Sequence, residues 1–326
     1  NHRATMFTLK RMILATVLIA SASVHAGESG NLFKFKFKLN KPLAYAVETK
    51  SKTVNDSSAG NNSSLTSTTV DTRYKFKLTA VSINQDGTTK VHYEPFDFEQ
   101  DVDKTTPSGH VTISTRGLDI VSKLNGIVMV DTAKGIGIAQ ENNLKYPIYP
   151  NLISGYFDMS ADGDIKAVHG DLPFIDYWDH NRKFNLGLFQ IIFSSNSVGV
   201  HDSWTNYLTL KGAGGVVFNN GGIVQSNVFV RELNSGSNAC FSLYESDSYK
   251  NMSGYIEQYG EQTSMVIPEH TENMNGTFHF DQQAGCLVDM QRTSTTHDEF
   301  NMMVRGHSAN SQTDFDLDAS IKLISP

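Results

Sequence analysis

The chain has 326 residues, 27 Lys plus Arg against 34 Asp plus Glu, and a formal net charge of −7. Three of the basic residues (Arg3, Lys10, Arg11) and no acid fall before residue 27, which moves the remainder to −10. So acidic a protein excludes nucleic acid as a natural partner, and a length near 300 residues is enough for a substantial core.

Residues 6–26, MFTLKRMILATVLIASASVHA, have a basic start, an apolar run from Met12 to Ala20 and a small-residue exit at Ala26. This is the pattern of a secretory signal peptide, so the processed chain is expected to begin near Gly27 and to be periplasmic or extracellular. Residues 1–5 read as an upstream extension. No later apolar run reaches about 18 residues, so no membrane span is expected after processing. The absence of Cys just after the leader argues against a lipid anchor.

LFKFKFKL (32–39) alternates Phe or Leu with Lys. On a strand, Phe33, Phe35, Phe37 and Leu39 turn to one face and Lys34, Lys36 and Lys38 to the other. FDFEQDVD (96–103) and DFDLD (314–318) carry acids in the same period, so the lysine strand is expected near the last strand, 314–323, or in the same sheet as 90–103. Burial of each Phe is worth about 1.5–3 kcal/mol and each cross-strand ion pair about 0.2–1 kcal/mol; the phenylalanines therefore drive the placement.

Turn signals then recur between alternating segments: Asp86-Gly87, NNGG (219–222) and Ser235-Gly236 predict hairpins. SKTVNDSSAGNNSSLTSTTVD (51–71) is polar and of low complexity, and reads as a long mobile hairpin tip. VTISTRGLDIVSKLNG (111–126), FDMSADGDIKAVHG (157–170) and FHFDQQAGCLVDMQR (278–292) share a strand, turn, Gly, strand plan, with Gly117, Gly163 and Gly285 at positions that call for positive φ. DLPFIDYWDHNRKFNLGLFQIIF (171–193), opened by Asp171 and Pro173, predicts a helix, interrupted near Asn185 and Gly187. The fold class is thus mainly β with minor α: curved antiparallel sheet in two related halves, 27–133 and 198–326, joined by a connecting segment, 134–197, that holds the helix.

Cys240 and Cys286 are the only cysteines, and in an exported chain they are expected to form a disulfide. His169, Asp171, Asp179, His180, His201 and Asp202 gather imidazoles and carboxylates suited to acid–base or metal chemistry, but with no recognised metal-ligand spacing. GHSAN (306–310) misses the nucleophile elbow by one residue, since Asn310 stands where the second Gly belongs, and a strand rather than a helix follows Ser308. His297, Asp298 and Glu299 read as a solvated turn. GAGG (212–215) lacks the Lys that a phosphate loop needs, and no cofactor motif is found. Trp178, Phe184, Phe189, Phe193, Trp204 and Tyr207 cluster near the junction of the halves; if a helix crosses a curved sheet there, they would line an apolar ligand cavity.

FDMSADGDIKAVHG, FSSNSVGVHDSW (193–204) and GTFHFDQQAGCLVDMQR (276–292) together resemble an exported bacterial family known as a domain of unknown function, with a "V-x-x-G-D-S-W" signature. Here His201 replaces the Gly of that signature, and Ser194-Ser195 its usual Leu-Pro. The resemblance implies a two-halved β organisation, analogous to periplasmic carriers such as LolA, and brings no catalytic residues. The expected role is noncatalytic: binding or carrying a hydrophobic small molecule such as a lipid or acyl chain, or engaging an envelope protein. The rival is a secreted hydrolase or metal-binding protein that uses the cluster at 169–202.

Overall fold

A computed structural model of the chain describes residues 32–59, 62–136, 154–169, 176–177, 184–185, 191–199, 202–210, 216–218, 222–233, 238–258, 261–304 and 307–325. The expected leader, the GAGG stretch and the Ser235-Gly236 turn lie outside these residues. Among the described residues the protein is mainly β: one curved, unclosed sheet of 15 strands, antiparallel throughout its ladders.

The first and last long strands meet at the centre of the sheet. β1 (Pro42–Ala59) lies between β2 (Asn62–Ile83) and β17 (His307–Ser325), so the two β-rich parts of the chain share one hydrogen-bonded ladder. On one side follow β2, β3 (Thr89–Thr106), β4 (Gly109–Arg116), β5 (Asp119–Leu124) and β6 (Ile127–Asp131). On the other follow β17, β16 (Cys286–Val304), β15 (Glu261–Asp281), β14 (Asn238–Gln258), β13 (Gly222–Leu233) and β11 (Ser203–Leu210), with the short β12 (Val216–Phe218) paired to the far part of β14 and not to β13 across the NNGG turn. The sheet forks at β3, whose residues 89–93 pair with β7 (Gly155–Met159) while residues 99–106 pair with β4. β7 in turn pairs with β8 (Ile165–His169).

The three repeated strand–Gly–strand units are hairpins, β4–β5, β7–β8 and β15–β16, and Gly117, Gly163 and Gly285 have φ of 60°, 97° and 67°. Asp86-Gly87 turns β2 into β3.

Three expectations are corrected. Residues 51–71 are the arms of β1 and β2, in register out to Ala59 opposite Asn62. They lack apolar mass, but β17 on the far side of β1 satisfies the second edge of its backbone, and Asn55 Nδ2 donates to Ser311 Oγ at 2.9 Å and to Thr313 Oγ1 at 2.8 Å. The predicted helix is absent from the described part of 171–193. Asp176–Tyr177 (β9) pairs with Phe184–Asn185 (β10), and residues 191–193 lie in neither helix nor strand, with Ile191 and Phe193 buried on either side of the less buried Ile192. Aromatic and β-branched side chains suit that period-two arrangement as well as they suit a helix face. The one helical element among the described residues is the 3-10 turn Thr132–Lys134.

The third correction concerns LFKFKFKL. Its alternation holds in burial: Phe33 is 2% exposed, Phe35 and Phe37 pack against the core, and the three lysines face solvent, though Leu39 is 51% exposed. Yet the segment belongs to no strand ladder: it makes an isolated bridge between Leu39 and Ala80, and the backbone N–H groups of Phe35 and Lys36 donate to hairpin turns. It is a strap across one face. The acidic strands instead lie beside lysines of β1 and β2: Lys50 stands opposite Asp318, Lys52 opposite Asp316, and Lys75 Nζ sits 2.9 Å from Asp97.

Candidate functional site

The core occupies one end of the long strands. Tyr45 and Val47 of β1, Phe76 of β2, Val91 and Tyr93 of β3, Phe241 of β14, Phe278 and Phe280 of β15, Met290 of β16 and Ile321 of β17 form it, with Phe157, Met159 and Ile165 of the β7–β8 hairpin packed against them. Phe33 seals this end, with its ring centroid 4.9 Å from Phe241 and 5.6 Å from Phe193.

Two glycine turns hold the strap. Phe35 N–H donates to the Ala161 carbonyl at 2.7 Å in the β7–β8 turn, and Lys36 N–H donates to the Gly285 carbonyl at 2.9 Å in the β15–β16 turn. Lys36 Nζ adds a hydrogen bond to the Gln282 carbonyl at 2.9 Å. Both glycines are needed for close approach as well as for their φ. A Cβ on Gly285 would lie 2.4 Å from Lys36 Cβ, and one on Gly163 would lie 2.0 Å from the Ile191 carbonyl oxygen and 2.9 Å from the Phe35 ring. Gly117, in the third repeat, has nothing within 4 Å.

Beneath the strap is a cavity of about 50 Å3 walled by Phe35 and Phe37 from the strap and by Tyr45, Tyr74, Phe76 and Tyr93 from β1–β3, with Met159, Ile191, Leu287 and Ile321 completing it. The rings form a panel: Tyr45 stacks on Phe76 at 5.3 Å, and Phe76 lies 5.3 Å from Tyr93. Burial pushes the Tyr45 phenol far above its ordinary range, with a smaller contribution from the nearby Cys286 thiol; Tyr74 is raised by burial, and Tyr93 by burial and then by Tyr74. All three remain protonated donors at any physiological pH. A larger, open depression of about 520 Å3 lies near Lys50, Gln291, Thr293 and Asp318, with Lys50 and Asp318 facing each other in register.

Of the six aromatic residues expected to line a ligand site, Phe193 and Trp204 are brought together, 6.3 Å apart, and Trp204 Nε1 donates to the Ile192 carbonyl at 2.8 Å. They pack within the core and do not wall the cavity. Phe184 and Tyr207 stand on β10 and β11, their side chains outside the described residues, as are Trp178 and Phe189. Sequence reasoning missed Tyr45, Tyr74 and Tyr93; the available signal was the alternation YAV (45–47) and YKFKL (74–78) on adjoining strands.

The polar cluster is dispersed where it is described. His169 Nε2 meets Asp158 at 2.9 Å on the surface of the β7–β8 hairpin, and Asp202 accepts the Gly199 N–H at 2.6 Å in a turn. Asp171, Asp179, His180 and His201 lie outside the described residues. Ser308 sits inside β17, exposed, with its hydroxyl toward Asn310. His297, Asp298 and Glu299 form no turn: they lie within β16, His297 bonded to Asp314 at 2.6 Å and Asp298 to the buried His270. Ser294, the nearby buried hydroxyl, donates to Glu272 at 3.1 Å.

Cys240 and Cys286 are not joined by a disulfide. Cys240 on β14 is opposite His279 and Cys286 on β16 is opposite Asp281, with β15 between. Two strand spacings, about 9–10 Å, exceed the Cα separation of about 7 Å that a disulfide spans. Burial pushes the Cys286 thiol up, which keeps it unreactive.

Among the described residues no group of His, Cys, Asp and Glu is arranged to hold a metal ion, and no helix is long and apolar enough to cross a membrane. No protein-family model matches the chain, and no curated protein matches it. Solved structures with some likeness include Pseudomonas aeruginosa OccK11 (OpdR), with 6% identity, TM-score 0.20, and coverage of 88% of this chain and 99% of that one. Another is the translocator domain of the autotransporter NalP from Neisseria meningitidis, with 5% identity, TM-score 0.16, and coverage of 84% and 88%.

Proposed function

We propose that the protein is a noncatalytic exported binding protein, of the kind that holds or carries a hydrophobic molecule, with its site under the strap. The signal-peptide pattern at residues 6–26 supports the exported location, and the resemblance to exported two-halved β proteins supports the role. The observation that carries the reading is that two walls of an aromatic cavity, Phe35 and Phe37, belong to a segment outside the sheet ladder. A wall held by few hydrogen bonds opens at far less cost than a strand paired on both edges.

The cavity of about 50 Å3 is much smaller than the roughly 300–1,000 Å3 of ordinary small-molecule sites. An acyl-chain-sized ligand therefore enters by displacing Phe35 and Phe37, whose rings cover the apolar panel. Phe33 stays as the anchor, since it is sealed among Phe193, Phe241 and Phe280.

The test has two arms. Mass spectrometry of extracts from protein purified without denaturant looks for a co-purified apolar molecule. Titration with an environment-sensitive apolar dye then compares the natural chain with Phe35→Ala/Phe37→Ala, which is expected to bind several-fold more tightly because the plug is gone. A natural chain with no co-purified molecule, together with a double variant that remains folded and binds no dye, would sink the reading.

A further inference from the structure

The outer face of the strap carries a basic strip on an acidic molecule. Leu32, Lys34, Lys36 and Lys38 occupy its outward positions and Lys41 follows just before β1; all five side chains are exposed. No Asp or Glu occurs between Leu32 and Val47. Among the described residues Lys34, Lys38 and Lys41 form no ion pair, and Lys36 donates to the Gln282 carbonyl. Other lysines meet acids: Lys75 is bonded to Asp97, Lys134 to Asp131 and Lys166 to Asp164. The acids of the two turns that seat the strap are engaged within those turns. Asp162 accepts the Ser160 hydroxyl, and Asp281 accepts the Gln283 and Ala284 N–H groups.

Two leucines select the kind of partner. Alternation places Leu39 with the buried phenylalanines, yet it is 51% exposed, and Leu32 stands in the lysine row at 39%. Lysines alone would meet an acidic protein or a polyanion in solution. An exposed Leu at each end of the row suits a surface that has an apolar interior beneath its charge. Much of the protein's own acidity lies out of range. Asp71 and Asp318 both face Lys50, eight residues along β1 from Pro42 where the strap ends. At strand rise that is roughly 26 Å, against a screening length of about 8 Å in physiological salt. Asp101 lies level with them, and Asp103, Asp314 and Asp316 lie farther along.

We propose that the outer face of the strap attaches the processed protein to an anionic phospholipid surface, with the lysines meeting the headgroups and Leu32 and Leu39 entering the interface. The contact is peripheral and needs no spanning segment. It rests on the outside of the strap, so it stands whether or not the cavity beneath holds a ligand.

The experiment is co-sedimentation of the processed chain with vesicles of phosphatidylglycerol and phosphatidylcholine in equal parts, compared with vesicles of phosphatidylcholine alone. Binding to the anionic vesicles is expected to be at least about tenfold tighter and to fall as salt is raised. Lys34→Gln/Lys38→Gln/Lys41→Gln is expected to weaken it about a hundredfold, at roughly fivefold per lysine. Lys52→Gln/Lys104→Gln/Lys123→Gln removes as much charge from exposed positions far from the strap, and leaves binding unchanged. Leu32→Ser/Leu39→Ser weakens it severalfold without altering its salt dependence. Folding of every variant is checked by chemical denaturation. Equal binding to the two kinds of vesicle, no binding to either, or an equal loss in the two lysine triples overturns the proposal. Binding to soluble polyphosphate as tight as to the anionic vesicles, and indifferent to the leucine substitutions, gives the strip to a polyanion and overturns it too. Dye binding in the cavity is read separately, so neither result decides the other.

Discussion

The two ends of the same strands differ sharply. At the core end, the face that carries Tyr45 and Val47 on β1 continues across Phe76, Ile321, Met290 and Phe278; toward the other end the same face of β1 carries Thr49, Ser51, Thr53 and Asn55, opposite Thr72, Val70, Thr68 and Thr66 of β2. Pairing runs from one end to the other, in unbroken register with β2 and with a single shift against β17, between Ala44 and Tyr45. What changes is whether the inward positions hold rings or small polar groups, and the strap docks at the ring-bearing end, where the glycine turns seat it. Arg292, 3% exposed, and Ser294 mark the border on β16. The arms are held by backbone ladders and small polar contacts, whereas the core end is held by apolar burial, which stabilises more per residue.

The largest break in this comparison is expected from Phe33→Ala, which removes the anchor from a closed aromatic core and should cost about 3–5 kcal/mol in chemical denaturation. A cost below about 1 kcal/mol would mean that the strap is not part of the folded core. Next come the glycine turns, in a paired measurement. Gly285→Ala and Gly117→Ala both force Ala into positive φ, at roughly 1–2 kcal/mol. Only the former collides with Lys36, so it should cost on the order of 2 kcal/mol more than Gly117→Ala and expose Phe35 to solvent probes. Equal costs would remove the strap-docking role of Gly285.

In the arms the effects shrink. Asn55→Ala deletes the hydrogen bonds to Ser311 and Thr313 and should cost about 1 kcal/mol in thermal denaturation, with no change in apolar dye binding. The smallest effect is pH-dependent. The hydrogen bond to Asp314, then the Asp314, Glu299 and Glu269 charges, raise the His297 pKa against the opposing pull of desolvation. Its contribution is therefore complete below the unfolded value near 6.5 and fades as pH rises through the raised folded value. For so exposed a pair it is under about 1 kcal/mol, so His297→Asn should lower the melting temperature slightly at pH 5.5 and leave it unchanged at pH 9.

Much of the fold could be read from local pattern. Period-two burial, the Asp86-Gly87 turn and the three glycine hairpins are consequences of side-chain alternation and of φ preferences within a few residues. The errors share one cause. Residues 51–71 lack the apolar mass to order alone and gain β17 as a distant partner, while the described parts of 171–193, Asp176–Tyr177 and Phe184–Asn185, pair with each other, since their side chains fit two periods. The disulfide failed for the same reason, since the distance from Cys240 to Cys286 is fixed by which strand lies between them. The site was legible only in part: the aromatic strap stood out in the sequence, but Tyr45, Tyr74 and Tyr93 become its opposite wall only after β1, β2 and β3 pair in register.

The amino-acid order by itself determined which side chains are dry and which are wet, because alternation along an extended backbone is a local property. Whether LFKFKFKL would be a member of the sheet or a cover upon it was left to tertiary structure. Both edges of β1 are taken by β2 and β17, and the glycine turns at 163 and 285 offer the strap a close seat above an aromatic face.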